Sequence, residues 1–459
     1  MVFKKLLVAN RGEIALRVLR TCREMGIKTA VIYSEADSNS RHVKEADEAY
    51  CVGPAPAVDS YLNTPRILAK AMVAHVDAIH PGYGFLSENG EFAEICERYG
   101  FKFIGPKHET LKLTGNKLKI REIAAKLGIP VVPGSYKPIN NKLDAVEVAR
   151  EVGYPVLVKP AAGGGGRGLR KVNSEHELEA QIESSAREAG MTFETKGIFI
   201  EKYIEKARHV EVQVLADNHG NVVHLGERDC TIQRRHQKLM EESPSPAVDE
   251  ELRRQITSSA LTLVKGVGYV NAGTVEFLLD QERRYYFIEM NSRIQVEHPV
   301  TEMVSGVDLI KQQIRIAAGE KLEFSQDDLS LKGWALECRV NAEDPCEDFR
   351  PSLGTIRNYI PPAGSSVRVD DYVYSGYNIP PHYDSLLGKV VVWGNTRSEA
   401  IEQMKKALDE FHIEGIKTTI SFHKKVLNHP VFLGGTAYTK FAEELVEKFD
   451  SKYNQFNLN

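Results

Sequence analysis

Two glutamates stand where a cation would be needed. Thr274-Val275-Glu276-Phe277-Leu278-Leu279 and Tyr285 to Ile288 are apolar runs around the polar stretch Asp280 to Arg284, the pattern of a hairpin. A turn centred between Glu282 and Arg283 sets Glu276 opposite Glu289. Asn291, two residues further on, shares the face of Glu289. Carboxylates directly opposite one another repel. A divalent cation reverses that sign, and carboxylate and amide oxygens suit Mg²⁺ or Mn²⁺. One such glutamate alone reads as the solvated face of an edge hairpin. Here large apolar residues flank both, and the polar run Asn291-Ser292-Arg293-Ile294-Gln295-Val296-Glu297-His298 follows. The metal is therefore the reading taken.

Three other stretches carry chemistry. Val156-Leu157-Val158-Lys159-Pro160 reads as a strand, and Ala161 to Gly168 follows it with consecutive glycines from Gly163 to Gly166 between Lys159 and Arg167. A second strand, Leu169 to Val172, comes next, so this loop joins two strands and fits neither a P-loop nor a Rossmann loop. Such backbone can fold over phosphates as a flap of N–H donors; a flexible surface turn is the competing reading. Arg208 to Ala216 alternates, with His209, Glu211 and Gln213 on one face and valines on the other, the pattern of a half-buried strand. Glu227 to Lys238 is rich in basic residues. Local evidence favours a solvated surface there, with the wall of an anion site as the alternative.

Composition sets the bounds. The 459 residues suit about three domains. A net charge of −4 from 59 basic and 63 acidic side chains argues for neither nucleic acid nor a membrane surface. The six cysteines show no C-x-x-C spacing, which implies free thiols and no structural zinc. No stretch is long enough for a signal-peptide core or a membrane span. A cytoplasmic protein is expected.

The elements that must position these residues follow from periodicity. Lys5 to Ala9, the turn Asn10-Arg11-Gly12-Glu13, a helix from Ile14 to Met25 and a strand from Thr29 to Tyr33 make a β-α-β opening. Its turn has one glycine rather than three, so dinucleotide binding is disfavoured despite Asp37. Asp77 to His80 is a strand ending in Pro81-Gly82-Tyr83-Gly84, and Asn89 is placed to cap the next helix. Ser174 and Glu177 form a capping-box pattern. Helices are expected over Lys117 to Leu127, Leu143 to Val152, Glu250 to Lys265, Val307 to Ala318 and Ser398 to Phe411, and a strand over Trp334 to Val340.

Taken together, these segments resemble the biotin carboxylases of the ATP-grasp superfamily, from about Val2 to Asp450. The resemblance rests on Ala9 to Ala15, His80 to Asn89, Gly163 to Gly168, Arg234-Arg235-His236-Gln237-Lys238, Glu289 to His298 and Tyr383-Asp384-Ser385, in this order and spacing. It implies an α/β and α+β chain with an ATP-grasp fold. Residues 1–113 would form a Rossmann-like N-terminal domain. Residues 114–330 would form the ATP-grasp domain, with a mobile lid over about 131–204, and 331–450 a C-terminal biotin carboxylase domain, with 451–459 a frayed tail.

The resemblance also implies ATP with Mg²⁺ or Mn²⁺, bicarbonate, and biotin on a carrier protein. ATP would meet Lys117, Lys159, Gly164, Gly165, Gly166, Glu201, Lys202, Ile204, His209, Gln233, His236, Glu276 and Glu289. The metal would sit on Glu276, Glu289 and Asn291. Bicarbonate and biotin would meet Lys238, Arg293, Gln295, Val296 and Arg339. Glu297, Arg339, Arg293 and Lys238 would be catalytic, with Glu297 the base and Arg339 stabilising the biotin enolate. Two departures stand out: Thr114-Gly115-Asn116-Lys117 where Met-Gly-Asp-Lys is frequent, and Ser292 where Thr or Pro is. No Ala-Met-Lys-Met motif occurs, so a biotin carboxyl carrier protein and a carboxyltransferase subunit are expected as partners, with the chain a homodimer. Another ATP-grasp carboxylate–amine ligase is the rival reading.

Overall fold

The computed structural model describes residues 3–135, 137–160, 169–188 and 197–446. The glycines of the loop, Gly164 to Gly166, and the tail after 450 lie outside these residues.

Strands β1 (Lys5–Val8), β2 (Lys28–Ser34), β3 (Glu48–Gly53), β4 (Ala78–His80) and β5 (Lys102–Phe103) form a parallel sheet in the order β3-β2-β1-β4-β5. The apolar runs explain it: β1 and β4 are buried on both faces, as parallel strands are when helices cover both sides. Helix Gly12–Glu24 covers one side with Ile14, Val18 and Cys22. The glycine turns at the ends of β1 and β4 are locked to each other. The Asn10 side-chain amide donates to the carbonyls of Pro81 (2.6 Å) and Tyr83 (2.7 Å). A Cβ at Gly82 would lie 2.9 Å from that amide, and its φ is +63°, so only glycine suits the position. Asp37 is saturated by Arg11 at 2.6 and 2.8 Å and by the Tyr61 hydroxyl at 2.6 Å. It has no oxygen to offer a ribose.

Strands β6 (Val156–Pro160), β7 (Arg170–Val172) and β8 (Ile198–Lys202) make a small antiparallel sheet of their own. Helices Lys142–Val152 and Glu175–Glu188 pack on it through a separate apolar cluster that includes Val156, Val158, Leu178, Ile198 and Ile200. Ahead of the second helix, Glu177 takes the backbone N–H of Asn173 at 3.0 Å, one residue before the expected cap.

Among the described residues, the largest sheet has eight strands, and three two-stranded pairings lie outside it. Its strands are β9 (Arg208–Ala216), β10 (Val222–Arg234), β11 (Gln237–Ser243), β12 (Asn271–Leu279), β13 (Tyr285–Asn291), β14 (Trp334–Asn341), β15 (Val367–Asp371) and β16 (Leu386–Gly394). They run β13-β12-β9-β10-β11-β14-β16-β15. The sheet continues across residue 330, because β11 pairs antiparallel with β14. Two expectations are corrected here. The polar face of β9 is buried rather than solvated: Glu211 and Gln213 are 0% exposed. The basic stretch Glu227 to Lys238 is not a solvated surface either. It is the β10–β11 hairpin, turning at Arg235 and His236, both at positive φ, and Arg228 within it is fully buried.

Candidate active site

The hairpin that carries the two glutamates forms, and their pairing is as expected. Glu276 pairs with Glu289, but the outer part of the hairpin runs one residue off: Phe277 faces Phe287, and Ile288 is a bulge. The bulge lets both Phe287 and Met290 reach the core beneath β12 while Ile288 and Glu289 line the opposite side. Asn291 shares the site, its amide donating to Glu276 at 2.8 Å.

All of the described residues expected to act line a single cleft of ≈ 1640 Å³ between the three sheets. Lys117 and Glu289 meet at 2.5 Å. Glu201 is gripped by Lys159 and, at 2.9 Å, by Arg121. Gln233 lies 3.4 Å from His209, and Ile204 and His236 complete that end of the wall. The amine of Lys202 is taken by the carbonyls of Gly153 (2.9 Å) and Tyr154 (3.0 Å).

Charge is dense at the other end. Lys238 donates to Glu211 (2.6 Å), Glu276 (3.0 Å) and Glu297 (2.7 Å). Glu297 receives Lys238 on one oxygen and Arg339 on the other, at 2.8 Å. Burial opposes ionisation of Glu297, yet Lys238, Arg339 and Arg228 overcome it and hold its carboxyl well below the usual range. Glu276 follows the same pattern: burial is outweighed by Lys238 and His209, the latter 2.9 Å away. Gln295 donates to Glu276 at 2.9 Å and receives Arg228 at 2.7 Å. Arg293 pairs with Glu88 at 3.1 Å, which ties the polar run to the Pro81–Asn89 turn. Asn89 caps its helix by accepting from Phe92 at 2.8 Å.

The residues present fit a hard divalent cation. Glu276 and Glu289 are cross-strand neighbours, Asn291 adjoins them, and Lys117, Lys238 and His209 balance these carboxylates. The donors are oxygens of the kind Mg²⁺ and Mn²⁺ prefer.

Several members of this network escaped the sequence reading. Arg228 donates to Glu211, Gln213, Thr274, Gln295 and Thr301. Its signal was submerged in a run of charges. Lys389 is also fully buried, donating to the carbonyl of Val296 at 2.7 Å and lying 3.1 Å from Glu13. A lone charge inside Leu386-Leu387-Gly388-Lys389-Val390-Val391 was its signal. Glu241, which holds Arg339 at 2.6 Å, gave none.

Sequence models of known families match nearly the whole chain. Residues 2–111 match the biotin carboxylase N-terminal domain, 116–325 the carbamoyl-phosphate synthase L chain ATP binding domain, and 337–444 the biotin carboxylase C-terminal domain. The chain belongs to the biotin carboxylase family. It is 56% identical over 443 residues to biotin carboxylase 1 of Bacillus subtilis (strain 168), covering 96% of this chain and 98% of that one. A solved biotin carboxylase–β,γ-ATP complex from Campylobacter jejuni superposes with a TM-score of 0.93 at 49% identity, covering 96% of this chain and 99% of that chain. The biotin carboxylase domain dimer of the Hydrogenobacter thermophilus 2-oxoglutarate carboxylase, in complex with MgADP, ADP and bicarbonate, superposes with a TM-score of 0.92 at 48% identity, covering 98% and 99%. The fold is thus the ATP-grasp fold of that family. Among the described residues, no helix is long and apolar enough to cross a membrane.

Proposed function

We propose that the chain catalyses ATP-dependent carboxylation of biotin by bicarbonate, the first half-reaction of a biotin-dependent carboxylase. The observation that carries this reading is the double grip on Glu297, with Lys238 on one oxygen and Arg339 on the other. One carboxylate thus joins Lys238, which also holds Glu276, to Arg339.

In this reading the adenine lies near Glu201, Lys202 and Ile204. Lys117, Lys159, His209, Gln233 and His236 meet the nucleotide; Gly164, Gly165 and Gly166, outside the described residues, are assigned to its phosphates by the resemblance alone. Lys117 and Lys159 exchange their carboxylate partners for phosphate oxygens. Glu276, Glu289 and Asn291 would hold Mg²⁺ or Mn²⁺, which offsets charge on phosphoryl oxygens. Lys238, Arg293, Gln295 and Val296 receive bicarbonate. An oxygen of bicarbonate attacks the γ-phosphorus, giving carboxyphosphate and ADP. A carboxylate held as low as Glu297 is a weak base. A second anion on Lys238 and Arg293 weakens that hold and raises its basicity, so Glu297 becomes competent when bicarbonate binds. Carboxyphosphate yields CO₂ and phosphate, the phosphate takes the biotin N–H proton, Arg339 stabilises the enolate oxygen, and the deprotonated nitrogen attacks CO₂ to give carboxybiotin. The acceptor is biotin on a separate carrier chain that also serves a carboxyltransferase, and the working form is a homodimer.

The test is bicarbonate-dependent ATP cleavage stimulated by free biotin; an amine-dependent, biotin-independent cleavage would mark the carboxylate–amine ligase instead. Within that assay, Arg339→Ala should cut biotin carboxylation at least tenfold more than it weakens MgATP binding, since one lost transition-state donor costs about 2.7–4 kcal/mol. Equal losses in both would refute the role of Arg339.

A further inference from the structure

Behind Arg339 the sheet sets two glutamates face to face. Glu241 on β11 and Glu337 on β14 are direct cross-strand partners. Both are 0% exposed. Such partners carry their Cβ atoms about 4.5–5.5 Å apart. Glu241 gives one oxygen to Arg339. Its other oxygen, and both oxygens of Glu337, have no hydrogen-bond partner among the described residues. Two dry carboxylates in that position, with three acceptor atoms left without donors, are untenable as a pair of anions. One proton placed between them joins an oxygen of each and removes one of the two charges.

We propose that Glu241 and Glu337 hold one proton between them, and that this shared proton keeps a second negative charge away from Arg339 while it serves biotin. The proposal rests on the reading of Arg339 given above. The surrounding charges agree with it. Arg339 lies on the strand of Glu337, Lys389 faces Arg339 from β16, Lys238 lies on the strand of Glu241, and Glu297 approaches from the turn before helix His298–Ser305. His298, buried at the start of that helix, lies beside Lys389 and stays neutral. Lys389 is occupied by Glu13 and the Val296 carbonyl, so it supplies no hydrogen bond to the pair. Burial, opposed by Arg339, pushes the Glu241 carboxyl up to about 7. Burial also raises Glu337 well above the usual carboxylate range, against the pull of Lys389.

With the proton in place, Glu241 is a mild partner and the guanidinium remains available to an enolate oxygen. When the proton is lost to solvent in alkali, two anions draw Arg339 back. Glu337 is thus a positioning residue acting through Arg339.

Two measurements test this on the full-length protein. Infrared difference spectra at neutral pH, wild type minus Glu337→Gln, should show the C=O stretch of one dry carboxylic acid that shifts in D₂O. Glu241→Gln should retain that band. No carboxylic-acid difference in Glu337→Gln overturns the proposal. In turnover, the alkaline limb of kcat/KM for biotin should move up by about one pH unit or more in Glu337→Gln, with KM for MgATP unmoved. A limb that stays in place also overturns it; a merely structural Glu337 would lower activity alike at every pH. If the infrared band behaves as stated but Arg339→Ala loses ATP affinity and carboxylation together, the proton is right and the role of Arg339 is wrong.

Discussion

Single residues here work by being shared. Lys238 serves Glu211, Glu276 and Glu297 at once, and Glu297 is the member that also touches Arg339. Glu297→Gln should therefore leave the affinity for MgATP within about threefold of wild type and reduce bicarbonate-dependent ATP cleavage by about 10²-fold or more, the range of one lost general base. Nucleotide titration beside steady-state turnover checks both halves. A large loss of MgATP affinity would show that the segment is not divided at Glu297. At this scale the sequence was most legible where charge interrupts apolar runs. Glu276 and Glu289 were placed by pattern alone, and the register confirms their pairing. Arg228 and Glu241 were not found, because a buried ion pair is defined by its partners and those lie on other strands.

Elements supply what side chains cannot arrange. The bulge at Ile288 exists because Phe287 and Met290, an odd number of residues apart, both belong in the core. That broken alternation was visible in Tyr285-Tyr286-Phe287-Ile288-Glu289-Met290, and reading it would have given the bulge as well as the pairing. The two departures from the family's usual residues also resolve at this scale. Ser292, just past β13, donates to the hydroxyl of Thr114 at 2.7 Å, at the end of helix His108–Thr114. Asn116 caps helix Lys117–Lys126 by accepting from Lys119 at 3.1 Å, the task an aspartate would perform. Residues that look like separate substitutions in sequence thus touch in space. In a double-mutant cycle, Thr114→Val and Ser292→Ala should each cost about 1 kcal/mol, and the pair less than their sum by about 0.5–1 kcal/mol. Denaturation midpoints measure this; strict additivity would mean that the hydroxyls do not cooperate.

The whole molecule is less divisible than its sequence segments imply. We propose 1–113, 114–330 and 331–450 as the units of the chain, but β14, β16 and β15 complete the sheet begun by β9 to β13. Ile232, Leu239 and Met240 share an apolar cluster with Val390, Met404 and Phe422. A chain cut after residue 330 should expose the edge of β11 and that apolar surface, and so aggregate or lose its near-ultraviolet circular dichroism. A monodisperse, cooperatively unfolding 1–330 fragment would contradict this. Sequence reading separated the segments well because each has its own periodicity. It could not see the continuity, since the pairing of β11 with β14 joins residues about a hundred positions apart. Lys389 carries the same point into time. It fastens helix Gly12–Glu24, through Glu13, to the Val296 carbonyl, and it is made after almost everything it fastens. A ribosome-bound chain that already contains Lys117, Lys159 and the β12–β13 hairpin still lacks Lys389, and before β14 emerges it lacks Arg339 as well. In the proposed assignment the residues that meet nucleotide are thus synthesised before the one that serves biotin, so the acceptor side of the cleft is the last to be made.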